Sequence, residues 1–594
     1  MQRLEPAHLR RTVDPTTLGI ESTDQVLPLE GIVGQPRAVE SLRFGLQMRD
    51  RGFNVYVAGL PGLGKMTAVR AFLEETARRQ PTPPDWCYVN NFTDPYQPRV
   101  VQLPPGRGRE FQQDMRALIA RVRREIPKAF ESEEYGTRRD EIIKGLERQR
   151  SEIFEQLQQR AAQAGFTLQP TPIGILVIPV LGGRPISDAE LQALPAPARE
   201  ELQRRRETLQ EEVKAALKQV RVLERAAEER LRTLDRQVAL HVVGGLIEDL
   251  MEKYASCPEI TEHLQAVQQD IVENLEFFKG PSEAPAPAVG GMLPPIPLPV
   301  PWSRELFLRR YEVNLLVDNS HQQGAPVVVE LNPSYTNLFG KVEKETQFGA
   351  LYTDFTMIKP GALHRANGGY LVIPVEDLLR NAVSWDGLKR ALRSEQVEIE
   401  DLVERLGLVT TKTLRPQPVP LRVKVVLVGH PLWYYLLYAL DEEFAELFKI
   451  RADFDVQMPY DEEHVRSVLA FICKLCQEEK LRALDSGAAA KILEHSLRLA
   501  DDQEKLSARF GALSDVIREA NFWAERDGAD RVTADHVRKA LESRVYRSNL
   551  IEAKVRELIA EGTLFIDTAG VREGPVNGLS VLDVGDYVFG RPVR

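Results

Sequence analysis

Residues 59–66 read Gly-Leu-Pro-Gly-Leu-Gly-Lys-Met, and no other stretch constrains the fold of this chain as strongly. Glycines at Gly59, Gly62 and Gly64 let successive backbone N–H groups curl round a phosphate, and a lysine placed like Lys65 reaches the β and γ oxygens. Such a loop ordinarily ends in Ser or Thr, whose hydroxyl binds Mg²⁺; here Met66 stands in that place. A thioether is a soft, weak acceptor, whereas Mg²⁺ takes hard oxygen ligands in near-octahedral geometry. The octet therefore predicts a phosphate seat with a damaged metal clamp. Residues 54–58 read as a short buried strand running into the loop, and residues 65–75 as a helix whose N-terminus faces the anion. Thr67 does not simply replace the missing hydroxyl, because one helical step turns it about 100° away, although it could touch an α-phosphate.

Composition sets outer limits on function. With 594 residues, 28% charged and 43% hydrophobic, the chain is long enough for several cores and reads as soluble and multidomain. A net charge of -10 argues against bulk binding to nucleic acid or anionic membranes. No apolar run approaches the roughly 18 residues of a membrane helix. The first residues, with Glu5, Asp14 and Glu21 among arginines, lack a signal-peptide core, so the cytoplasm is expected. Four cysteines fit a reducing compartment. Cys473 and Cys476 form a CxxC in an apparent helix, but no second pair or histidine cluster completes a metal site; they read as small buried residues, and no metal is expected.

Upstream of the loop, Leu29-Glu30-Gly31-Ile32-Val33-Gly34-Gln35 leads into a helix starting near Pro36. This resembles the segment that wraps the adenine in nucleotide-binding rings of the AAA+ type, with Ile32 and Val33 in the place of the base-contacting residues. Strand-like pieces at 86–90 and 99–103 follow the loop helix, and then the pattern changes. Residues 108–280 are mostly helical and heavily charged. Leu209, Val213, Ala216, Val220, Leu223, Ala227, Leu231, Leu234 and Val238 recur at spacings of four and three, the seam of a coiled-coil hairpin arm whose partner is 138–164. Residues 166–186 read as a small β excursion at its tip or elbow. Two readings of the arm stand: a surface for substrate or neighbouring subunits, or a spacer with a solvated charged face. Residues 281–302 are proline-rich and read as a stiff linker.

Two later strings identify a family. Asn332-Pro333-Ser334-Tyr335-Thr336-Asn337-Leu338-Phe339-Gly340 is the first, and Pro360-Gly361-Ala362-Leu363-His364-Arg365-Ala366-Asn367-Gly368-Gly369-Tyr370-Leu371 the second. On these the chain resembles the ATPase portion of the Lon-like proteases, in the LonB-like and LonC-like branch, over nearly its whole length. The resemblance implies an α/β AAA+-like P-loop domain interrupted by the helical insertion and followed by a small α-helical domain. The resulting division is 1–107 and 303–460 for the nucleotide fold, 108–280 for the insertion, 281–302 for the linker, 461–550 for the small domain, and 551–594 for a linker and the start of a protease domain.

In an active ring ATPase of this kind the strand after Gly-Gly ends in Asp-Glu, which hold Mg²⁺ through water and polarise the attacking water. The resemblance puts Pro374 and Val375 in those places. Glu376 and Asp377 follow, but Pro374 interrupts the strand, so they read as acids of a helix N-terminus. His430 falls where the family carries a polar residue sensing the γ-phosphate. Arg451 falls where an arginine reaches into a neighbour's site, and Arg509 resembles the second sensor of the small domain; a salt bridge at a junction is the competing reading of either. Tyr352 and Phe355 lie where axial pore loops occur, with core packing as the competing reading. Residues 574–579, Gly-Pro-Val-Asn-Gly-Leu, resemble the start of the proteolytic domain. No serine carries the family's nucleophile motif, so the expectation is a fragment with no catalytic residue of its own.

The expected function is a ring module, a hexamer by resemblance, of a Lon-type Ser-Lys protease. It gates or recruits unfolded protein substrates while holding ATP or ADP without effective hydrolysis, with Mg²⁺ binding in doubt. One alternative is an active ATP-driven unfoldase in which Thr67 and Glu376 or Asp377 take over the missing roles. The other is a non-enzymatic scaffold or nucleic-acid-binding module.

Overall fold

Five short strands dominated by Val, Ile and Leu pair in parallel into one sheet: β1 (Val55–Ala58), β2 (Val327–Val329), β3 (Tyr370–Pro374), β4 (Lys424–Gly429) and β5 (Ile450–Asp453). Their order is β5-β1-β4-β3-β2. The computed structural model describes the chain except residues 1–8, 30, 49, 172–173, 182–183, 187–194, 280–299, 348–349, 402–412, 568, 572 and 586. Continuous apolar runs suit a parallel sheet covered on both faces. Alternate residues go to opposite sides: Val55, Val57, Val372 and Val426 pack under the helices Pro36–Gln47 and Lys65–Arg78, whereas Tyr56, Leu371, Ile373 and Leu427 pack with Leu338, Leu388 and Phe444.

The strands after the loop helix belong elsewhere. Asp85–Val89 pairs antiparallel with both Arg99–Leu103 and Val313–Val317, forming a three-stranded sheet of its own. One face of it, Cys87, Val89, Val101 and Leu103, joins Phe111, Met115, Val243, Ile247, Ile260 and Leu264 in a single core with the insertion's helices. The boundary expected near residue 107 thus runs through a hydrophobic core, and the insertion's body begins at its first strand, Asp85–Val89. Apolar alternation identifies a strand but not the sheet it joins.

The arm is a pair of antiparallel helices, Glu133–Gln163 and Ala196–Lys253. Tyr135 Oη donates to Asp235 at 2.7 Å at its root, while Leu157 and Ala161 meet Leu209 and Val213 toward the tip. Leu209, Val213, Val220, Ala227 and Leu234 are buried along the seam, and Ala216, Leu223, Leu231 and Val238 are half-buried. The 58-residue helix spans about 87 Å at 1.5 Å per residue. Strands Phe166–Thr171, Gly174–Leu181 and Arg184–Pro185 form the β excursion, with Phe166 and Val177 resting on the arm's apolar seam. Most of the proline-rich linker lies outside the described residues, and a helix has begun by Val300.

Helices Glu462–Glu479, Ser486–Ala500, Phe510–Arg526 and Ala534–Ser548 make the small domain, close-packed through alanines such as Ala488, Ala489, Ala520 and Ala524. The N-terminal segment docks here: Val13 enters this core and Thr23 N–H donates to the Leu484 carbonyl at 2.9 Å. Helix Leu550–Ala560 then leads to the antiparallel hairpin Gly578–Asp583 and Val588–Val593. Among the described residues no helix is long and apolar enough to cross a membrane.

Candidate functional site

The octet forms the turn from β1 into the helix Lys65–Arg78. Gly62 and Gly64 adopt φ of 83° and 68°, left-handed conformations in which an L side chain is strained. Gly64 is the N-cap and brings no side chain to it, so the first-turn N–H groups stay open to an anion. Gly59 N–H donates to the Gly429 carbonyl at 3.2 Å, tying the loop to the end of β4. A Cβ on Gly59 would lie 2.8 Å from Lys65 Cδ and 3.0 Å from Phe454 Cβ, so glycine is needed for the close approach. Lys65 Nζ donates to the carbonyls of Gly59 and Leu60 at 2.5 and 2.7 Å. Partial burial pulls its pKa down, and the negative charge of Glu376 opposes that shift.

Neither expected metal position, Met66 or Pro374, carries a side-chain oxygen, and Val375 in the water-polarising place carries none either. Met66 is half-buried and packs against the apolar cluster beneath the loop helix, and Thr67 is exposed on that helix. Val375 is fully buried in the core on the opposite face of the sheet, so close to Gly429 that a Cβ there would collide with it. Among the described residues no group of three or more His, Cys, Asp or Glu could hold a metal ion. The CxxC cysteines are both buried, and Cys473 Sγ donates to the Val26 carbonyl at 3.0 Å.

Glu376 lies in the first turn of a helix, as expected, and meets there a partner that no local pattern shows. Pro374 ends β3 and caps the five-residue helix Val375–Leu379, whose buried Val375 and Leu378 fix its rotation. That rotation brings Glu376 Oε1 to accept the His430 N–H at 2.9 Å, at the end of β4. Asp377 does behave as a helix acid, pairing with Arg380 at 2.9 Å. The available signal was the apolar pair Val375 and Leu378, whose i,i+3 spacing puts Glu376 off the buried stripe.

His430 is occupied as a helix cap: its Nδ1 accepts the Leu432 N–H at 3.1 Å and its carbonyl accepts Tyr56 Oη at 2.9 Å. Ile32 and Val33 are half-buried, on a segment anchored by Gln35, whose side chain donates to the Asp455 carbonyl at 2.8 Å and accepts the Asp455 N–H at 2.7 Å. The segment therefore spans the exit of β5 and the small domain. Arg509 caps the helix Phe510–Arg526, and Gly511 N–H donates to the Gly62 carbonyl at 2.9 Å, which holds this turn against the phosphate loop.

Arg451 is braced within its own chain. Its Nε donates to Asp453 Oδ1 at 2.7 Å, its Nη2 to Tyr435 Oη at 3.0 Å, and its guanidinium lies 4.7 and 4.8 Å from the ring centroids of Tyr434 and Tyr435. Phe355 is 4% exposed and packs with Trp86, Tyr88, Leu316 and Ile358, which rules out an axial contact for that ring. Tyr352 is half-buried at the end of the hairpin Glu345–Gln347 and Ala350–Tyr352; burial and Asp354 push its phenol up to about 12.

A five-stranded parallel sheet with a phosphate loop at the end of an inner strand and a helical lid touching that loop defines a P-loop module of the AAA+ type. Three family models match: "LonB-like, AAA domain" over residues 323–455, "Archaeal LonB, AAA+ ATPase LID domain" over 483–547, and "Lon-like LonC helical domain" over 85–118. The chain is a member of the Lon-like family. The last match begins where the three-stranded sheet begins, at Asp85.

A putative Lon protease homolog of Escherichia coli (strain K12) is 26% identical over 263 residues, 43% of this chain and 43% of that protein. The archaeal Lon protease of Archaeoglobus fulgidus is 28% identical over 282 residues, 46% of this chain and 45% of that protein. The matched region thus spans less than half the length of these curated relatives. The crystal structure of NtrX from Brucella abortus superposes with a TM-score of 0.25 at 17% identity, covering 39% of this chain and 46% of that one.

Proposed function

We propose that this chain is the ring-forming module of a Lon-type serine protease, holding ATP or ADP at residues 59–66 without effective hydrolysis while it gates or recruits unfolded protein substrates. One observation carries the reading. Where phosphoryl transfer needs an oxygen ligand for Mg²⁺ and a carboxylate to polarise water, the side chains are Met66 and the fully buried Val375, both packed in apolar clusters. A nucleotide's phosphates fit the left-handed glycines, the uncapped helix N-terminus and Lys65. Mg²⁺ does not fit, since Met66 and Pro374 offer it no side-chain oxygen.

Self-assembly, as a hexamer by family resemblance, is supported by the helix Pro431–Leu440, an uncharged ten-residue segment with Leu432, Tyr435, Tyr438 and Leu440 exposed at 55, 55, 59 and 81%. An exposed apolar face of this kind marks an interaction site. It adjoins Arg451, which would meet a neighbouring copy through Tyr435 without entering as a free finger. We place the assembly in the cytoplasm.

The test is phosphate release by the full-length protein with and without Mg²⁺. No turnover above a Lys65→Ala control is expected. Magnesium-dependent release that Lys65→Ala abolishes would overturn the proposal in favour of an active unfoldase. The full-length protein is also expected to degrade loosely folded substrates with or without ATP; degradation of a tightly folded, tagged substrate only when ATP is added would count against the gating role.

A further inference from the structure

We infer that the phosphate seat selects a nucleoside diphosphate over a triphosphate, independently of Mg²⁺, and that Glu376 sets this preference. The inference rests on the nucleotide-binding reading above. A chain of contacts places the carboxylate. β1 passes into the loop at Gly59, whose N–H donates to the Gly429 carbonyl at 3.2 Å. The next residue of that strand end, His430, donates its N–H to Glu376 Oε1 at 2.9 Å, and the same oxygen lies 3.2 Å from the position a Cβ on Gly429 would take. Glu376 therefore stands over the carboxyl ends of the strands beside the loop, the edge of an open α/β sheet at which ligands lie.

Charge decides what this acid does. The seat offers Lys65 and the roughly half a positive charge of a helix N-terminus. An α- and β-phosphate in the loop are answered by those groups. A γ-phosphate adds at least one further negative charge, more than Lys65 and the helix N-terminus answer, on the side where the Glu376 carboxylate sits. Seats that take triphosphates resolve this conflict with a divalent cation bridging the β and γ oxygens. Here Met66 and Pro374 bring no side-chain oxygen to hold one, and the conflict stays uncompensated. Glu376 also acts on Lys65, its negative charge opposing the lowering that partial burial imposes on the ammonium. The result is a lysine matched to a diphosphate and an acid set against anything longer.

The experiment is isothermal titration calorimetry of the full chain with ADP and with ATP, in chelator and again with Mg²⁺, on the wild type, Glu376→Gln and Lys65→Ala. Glutamine keeps the carbonyl oxygen that accepts the His430 N–H, so the local fold is retained while the charge is removed. Wild type is expected to bind ADP about tenfold more tightly than ATP, a like-charge effect of ordinary size at a partly exposed site. Mg²⁺ leaves both values unchanged. Glu376→Gln brings ATP to within about threefold of ADP by strengthening ATP alone, the loss of one like-charge interaction. Lys65→Ala loses both. Equal affinities in the wild type, tightening of ATP by Mg²⁺, or an unchanged ratio in Glu376→Gln overturns the selectivity and leaves nucleotide binding standing. Absence of binding by either nucleotide in the wild type overturns the nucleotide-binding reading itself.

Discussion

The N–H of Gly511 donates to the carbonyl of Gly62 at 2.9 Å, so the first turn of a small-domain helix rests on the crown of the phosphate loop. A Cβ on residue 511 would lie 3.1 Å from that oxygen, tighter than side chains normally tolerate. The lid and the loop thereby touch through backbone groups.

Gly511→Ala is expected to push the lid off the loop at a cost of about 1 kcal/mol, the usual size of one lost hydrogen bond. Hydrogen exchange should quicken at residues 59–66 while the distant helix Arg107–Phe130 is unchanged. Unchanged exchange at the loop would show that the contact does not couple the two.

Restoring the missing side chains should have opposite outcomes at the two positions. Met66 is half-buried at the edge of its cluster, so Met66→Thr is expected to cost no more than about 1–2 kcal/mol. Val375 is fully enclosed, and Val375→Glu buries a carboxylate with no partner, for a loss of about 3 kcal/mol or more. Urea midpoints of the two variants check this. A stable Val375→Glu protein that releases phosphate would refute the packed-core account.

The arm's root depends on Asp235, which accepts from Tyr135 Oη at 2.7 Å and from Lys279 Nζ at 2.5 Å, while Lys279 lies 4.1 Å from the Phe130 ring centroid. Asp235→Ala leaves the lysine and phenol without their shared acceptor and is expected to cost about 1–2 kcal/mol locally, since Lys279 is about a third exposed. Limited proteolysis should then cut first between residues 130 and 138.

Acid should destabilise the protein through two buried histidines. Burial, with the charge of Arg99, holds His263 down to about 3; burial alone holds His364 down to about 3. Below about pH 6.5 the unfolded chain takes up protons on both that the folded chain refuses until near pH 3, so stability falls as pH falls through that window. Each contributes a slope of up to about 1.4 kcal/mol per pH unit. His263→Phe, which keeps a ring against Phe92 and removes the unpartnered Nε2, should flatten the acid-side loss of melting temperature and leave stability near pH 8 within about 1 kcal/mol.

Much of the architecture was legible because it is written in local periodicity. The glycine spacing of 59–66 defines the loop, the four-three repeat from Leu209 to Val238 defines one side of the arm, and apolar runs mark the strand before the loop and the strand after Gly-Gly. Other features escaped because they depend on partners distant in sequence. Cys87 and Val101 read as strand residues of the nucleotide fold until their packing against Val243 and Ile260 places them in the insertion. Phe355 reads either as an axial-loop ring or as core packing, and only its enclosure by Trp86 and Tyr88 decides for the core.

The sequence by itself determined that the glycine-lysine pattern of a phosphate loop is present and that Met66 follows its lysine; that Pro374 and Val375 stand in place of acids after Gly-Gly is what the family resemblance implies. These are statements about residue chemistry at fixed positions, and chain geometry carries them without further information. Only the tertiary structure decided where Glu376 points, what holds Arg451 and which surface meets Gly62. The rotation of a five-residue helix is set by the burial of Val375 and Leu378, and the meeting of β1 with β4 joins residues 58 and 429, so both depend on packing that no local pattern encodes.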